Sequence, residues 1–156
     1  MNKELKQFIE EGVKRYKEAS KLVTLFGKTI ESELKGILSI RKDWGKFQPN
    51  KTKKLRSTKY WIDYPALNAN IFGKIGQKNC VVRVTINWYQ SETDYPYYEI
   101  RIEKGADEEL VNKFKGYTEN GIFEIHDKSI KFYPAPKDFN LHRDFNKLID
   151  EFIKII

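Results

Sequence analysis

Eight basic residues stand between Arg41 and Tyr60 with one acid, Asp43, among them. They are Arg41, Lys42, Lys46, Lys51, Lys53, Lys54, Arg56 and Lys59. Cations at this density neutralise phosphates and release the counterions condensed on them. Trp44, Phe47, Tyr60 and Trp61 are interleaved with them, and exposed aromatic rings stack on unpaired bases. The chain carries a net +7 over 156 residues, and this window holds all of it. The remaining 21 basic and 21 acidic residues balance. Lysine outnumbers arginine and lacks the planar fork that reads phosphate or guanine bidentately, so the stretch acts through point charge. An acidic protein surface is attracted by the same field, and a merely solvated lysine-rich loop is the bland account of the same residues.

A second group with chemical potential lies on a predicted hairpin. From Cys80 to Tyr89, β-branched and apolar residues alternate with Arg83, Thr85 and Asn87, and Tyr97 to Lys104 repeats the pattern. Period-two alternation marks half-buried strands with one apolar and one polar face. On the polar face Asp94, Glu99 and Arg101 read as acid, then acid-x-base. Metal-dependent nucleases of the PD-(D/E)xK type use that order, with two carboxylates holding Mg²⁺ and a lysine steadying the attacking water. Here Arg101 stands where lysine is expected, and Asp94 is close in sequence to Glu99. Alternating Glu and Arg on a strand face is ordinarily a ladder of cross-strand ion pairs. Tyr89, Tyr95 and Tyr97, beside Trp88 and Tyr98, put five large rings around one turn. Rings with an apolar body and a polar tip suit a protein interface, and Trp88 and Tyr98 are the two that the alternation directs inward.

Other chemistries find little support. His126 and His142 have no further histidine or cysteine at zinc-ligand spacing. Cys80 is the only cysteine, which excludes an intramolecular disulfide and places a thiol on the apolar side of its strand. No glycine-rich phosphate loop, Gly-x-Ser-x-Gly elbow or Cys-x-x-Cys pair is present. No cofactor is expected, Mg²⁺ entering only with the nuclease alternative.

These residues need elements to position them. Behind a candidate N-cap, Asn2, the positions Ile9, Val13, Tyr16, Ser20, Val23, Gly27, Ile30, Leu34 and Ile37 recur at spacings of four and three, predicting a helix to about residue 40. Gly27 marks a candidate break. The stripe is wide, which favours a helix lying across a sheet over a narrow coiled-coil seam, with self-association as the alternative. Residues 41–59 read as a basic loop, rich in Gly, Pro and Asn at its start. Strands are expected at 60–64 and 71–75, Gly73 marking a close approach of another backbone. The central hairpin, a short helix at 107–115, a tight hairpin over 121–133 and a helix at 139–156 follow.

The expected architecture is one α+β domain of order α-ββββ-α-ββ-α, with a mostly antiparallel sheet of five or six strands covered by the terminal helices. Apolar runs are too short for a membrane span, and a cytoplasmic location is expected. The functional expectation is a small non-catalytic binding protein that engages nucleic acid or a nucleoprotein through Trp44, Lys46, Phe47, Lys51, Lys53, Lys54, Arg56 and Lys59. The alternatives are an immunity-type inhibitor of an acidic partner, using Tyr89, Tyr95 and Tyr97 as well, and a divergent Mg²⁺-dependent nuclease.

Overall fold

The computed structural model describes residues 2–57, 66–87, 97–117, 123–134 and 140–156, with residues 23 and 51–57 described as backbone. Among the described residues three helices, α1 (Lys3–Ile40), α2 (Glu108–Gly116) and α3 (Leu141–Ile155), accompany six strands. These are β1 (Phe47–Ser57), β2 (Ala66–Ile75), β3 (Lys78–Asn87), β4 (Tyr97–Lys104), β5 (Phe123–His126) and β6 (Ser129–Phe132). All pairings are antiparallel, in the spatial order β1-β2-β3-β4-β6-β5. The α+β order expected from the sequence, α-ββββ-α-ββ-α, is the order observed. The sheet is open. Among the described residues no helix is long and apolar enough to cross a membrane.

Alternation decides the faces. Val82, Val84, Ile86, Tyr98, Ile100 and Ile102 are buried at 0–1% exposure and form one side of the core with Leu67, Ala69, Ile71, Ile130 and Phe132. From α3, Phe145, Leu148, Ile149 and Phe152 cover this side, and among the described side chains of α1, Ile30, Leu34, Ile37 and Leu38 do. Tyr98 packs edge-on against Phe145 and stacked against Phe132, at centroid distances of 5.1 and 6.2 Å. Cys80 belongs to the same core, and burial pushes its thiol up to about 11.

Three expectations need correction. The segment 47–57 is not a loop but the edge strand β1, its register shifting between Pro49 and Lys53. An edge strand has one unpaired side, and proline, lysine and a bulge are the devices that keep such a side from pairing with another chain. The strand expected at 60–64 lies outside the described residues. Secondly, α1 runs unbroken through Gly27 for 38 residues, since one glycine costs a helix interior only about 1 kcal/mol. Thirdly, α1 does not lie across the sheet along its length. Of residues 2–26, every one whose side chain is described is exposed; the helix docks by its C-terminal part and projects beyond the body.

Arg41 locks that docked end. Its guanidinium donates to Asp43 at 2.7 and 2.9 Å, to Asp150 at 2.6 Å and to Asn146 at 3.0 Å. His142 pairs with Glu33, a second tie between α3 and α1. Directly after Arg41 the chain reverses through Gly45 (φ 62°), where the Phe47 amide donates to the Trp44 carbonyl at 3.1 Å. That reversal turns Trp44 and Phe47 into the core. Gly73 seats the entering strand, because a Cβ there would lie 2.6–2.7 Å from the Phe47 ring and closer still to the Gln48 carbonyl.

Candidate nucleic-acid interface

The sheet face away from α1 and α3 carries every second residue of the strands. β2 supplies Asn68 and Asn70, and β3 supplies Arg83, Thr85 and Asn87. From β4 come Tyr97, Glu99, Arg101 and Glu103, from β6 Ser129 and Lys131, and from β5 Glu124 and His126. With the end of α2 and the β5–β6 turn as a wall, this face forms an open cleft of about 1090 Å³. Arg83, Arg101, Lys115, Lys128 and Lys131 line it, against the acids Glu99 and Asp127.

Its floor is held by polar bonds between strands. Thr85 Oγ1 donates to Asn68 Oδ1 at 2.8 Å, Asn87 Nδ2 to the Tyr97 hydroxyl at 2.7 Å, and Arg83 Nε to Asn70 Oδ1 at 3.3 Å. Thr85, Asn87 and Ser129 are polar and yet buried, so these positions are preorganised. Arg83 and Arg101 reach the same Glu103 carboxylate at 3.1 and 3.7 Å. One acid between two guanidiniums leaves a positive excess.

The aromatic content sits at the β4–β6 end. Tyr97 lies 5.3 Å from Tyr133 between ring centroids, and the Lys131 ammonium stands 5.6 Å above the Tyr97 ring. Tyr133 donates to Glu124 at 2.7 Å. That bond holds the Glu124 carboxyl below its ordinary range, aided by Lys131 and His126, while burial and the same bond raise the Tyr133 phenol.

The structure distributes the sequence candidates unequally. Trp44 and Phe47 are 1% exposed and lie in mutual edge-on contact at 6.0 Å, Trp44 also meeting Phe152 at 6.3 Å. They are core residues, and the expectation that they stack on bases is corrected accordingly. Lys46 is exposed. Lys51, Lys53, Lys54 and Arg56 lie along β1, where Lys54 is the register partner of Asn70 and Arg56 of Asn68. Tyr97, Glu99 and Arg101 are brought into the cleft. Lys59, Tyr89, Asp94 and Tyr95 lie outside the described residues, so the Asp94–Glu99 pairing is not on view. Among the described residues, no three His, Cys, Asp or Glu side chains are gathered where they would hold a metal ion. His126 and His142 are both about half exposed, each beside a glutamate.

The sequence alone does not single out Arg83, Lys115, Lys128 or Lys131. Alternation marks Arg83 as a polar-face residue. No local signal places Lys131 beside Glu99, because β6 inserts between β4 and β5 after the chain has passed through α2. The chain matches no protein-family model, and comparison with curated proteins and with solved structures returns no significant match.

Proposed function

We propose that the open sheet face binds nucleic acid, with the phosphate backbone tracking from β1 across to β6 and unpaired bases meeting Tyr97 and Tyr133. The observation that carries the reading is the β1 register. Lys54 and Arg56 are the register partners of Asn70 and Asn68, which sets the basic edge strand directly beside the polar face shared by Arg83, Arg101 and Lys131. A half-solvated sheet with accessible tyrosines suits single strands, whose bases splay onto aromatic rings. The Glu103 and Glu124 ion pairs fit contacts to a flexible backbone better than base-edge readout. The reading involves no catalysis.

The test is fluorescence anisotropy with labelled single- and double-stranded DNA and RNA, from low to near-physiological salt. Single strands should bind at both. Replacing Lys54, Arg56, Arg83 and Arg101 together by alanine should weaken binding and flatten its dependence on log salt by about 0.7 for each phosphate no longer neutralised. An unchanged slope would remove the face from consideration, leaving the β1 lysines as protection of a sheet edge. A protein partner that free RNA fails to displace would favour the acidic-partner alternative. Mg²⁺-dependent cleavage abolished by Glu99→Ala would favour the nuclease.

A further inference from the structure

The projecting part of α1 presents an apolar stripe to solvent. Leu5, Phe8, Ile9, Val13 and Tyr16 expose 47–75% of their surface. Ile9, Val13 and Tyr16 belong to the same four-and-three repeat whose later members, Ile30, Leu34 and Ile37, are buried in the body. The seam that docks α1 therefore continues uncovered from Ile9 to Ser20. The free length, residues 3–26, spans about 35 Å at the rise of an α-helix.

We propose that a second copy of this chain covers the stripe, the two helices lying antiparallel about an axis between Lys14 and Arg15. The sequence is self-complementary about that point. Val13 faces Tyr16 of the second copy, and Ile9 faces Ser20. Glu10 flanks Lys17 of the second copy, and symmetry supplies this opposite-charge pair twice. Gly12 and Ala19, both small, meet on one flank and let the helices approach; a side chain built on Gly12 has open space around it. A parallel pair would set Lys6 against Lys6 and leave Glu10 and Lys17 without opposite charges across the seam. The antiparallel pair also opposes the two helix dipoles and keeps the two folded bodies at opposite ends. Five large apolar side chains per copy, at roughly 60–120 Å² each, bring the buried area to about 900 Å², close to the lower bound of about 1,000 Å² for a specific interface.

Sedimentation of the full chain from about 1 to 100 µM tests the proposal. The expected species is a dimer that Val13→Glu with Tyr16→Glu converts to monomer, circular dichroism and the thermal transition of the body being retained because both positions are solvated in the single chain. Glu10→Lys and Lys17→Glu should each weaken the dimer about tenfold, and the chain carrying both should regain wild-type affinity within a few-fold. A chain still monomeric at 100 µM overturns the proposal, whether or not it partitions onto anionic phosphatidylserine vesicles. So does a dimer indifferent to Val13→Glu with Tyr16→Glu, and failure of the double charge exchange to restore affinity overturns the antiparallel register.

Discussion

Arg83 on β3 and Glu103 on β4 meet diagonally across the open face, Nη1 to Oε1 at 3.1 Å, and Arg101 comes within 3.7 Å of the same oxygen. The carboxylate holds two guanidiniums apart from solvent anions and thereby sets the charge that the cleft offers. Glu103→Gln should tighten binding of single-stranded RNA about two- to five-fold at low salt, the gain disappearing at high salt as screening grows. Both arginines are more than one-third exposed, so the change in folding stability should stay within about 1 kcal/mol. Anisotropy titration beside urea unfolding reads the two effects separately.

Trp44 separates packing from binding. Trp44→Ala should lower stability by about 3–5 kcal/mol through the cavity left between Phe47 and Phe152, and Trp44→Phe by much less. Neither should alter the affinity of the folded protein for nucleic acid, because the ring does not reach the surface. A Trp44→Phe chain that is stable and fails to bind would return Trp44 to the interface.

Gly73→Ala should cost about 1–3 kcal/mol, since the added methyl drives the Phe47 ring and the Gln48 carbonyl away from β2. Gly36→Ala is the opposite case. It lies in a helix interior where a Cβ meets nothing within 4 Å, and alanine there should stabilise by about 0.5–1 kcal/mol. Urea midpoints of the two variants should move in opposite directions.

Acid should destabilise the fold through carboxylates held below their ordinary range. Asp43 is held down chiefly by its bond from Arg41. Asp107 is held down by Lys78 and then by the Leu110 amide it caps, and Glu124 by Tyr133. A carboxylate whose folded pKa is depressed stabilises the fold above its unfolded value of about 4 and loses that contribution as pH falls through the folded one. The thermal midpoint should therefore drop below about pH 4. In Asp107→Asn, which keeps the capping oxygen, the drop should be shallower, as calorimetry between pH 5 and 2.5 would show.

What is legible in the sequence depends on how local its cause is. The two faces of the β3–β4 hairpin follow from alternation alone, and Tyr98, Ile100 and Ile102 are buried as the pattern requires. Gly73 is readable as a close approach for the same reason. β1 is not. Its run Lys51-Thr52-Lys53-Lys54 lacks apolar alternation, and lysine is what an edge strand carries to discourage pairing with another chain. The fate of Trp44 and Phe47 is decided by Ile153 and Phe152 at the other end of the chain, which a Gly- and Asn-rich neighbourhood conceals. The candidate site is half visible, Glu99 and Arg101 through alternation, while Lys131 enters only through the insertion of β6.

The unbroken course of α1 has a consequence for hydrogen exchange. Its docked end, from Ile30 to Leu38, supplies a formed helical turn, so the free part needs propagation alone and escapes the cost of nucleation. Opening then proceeds residue by residue from the Asn2 cap inward. In a single chain, protection should rise as a gradient along residues 3–26 toward a plateau near Ile30, set by global unfolding. Pairing with a second copy would flatten that gradient and slow the amides near Lys14 most, so the shape of the protection profile along one helix reports its state of association.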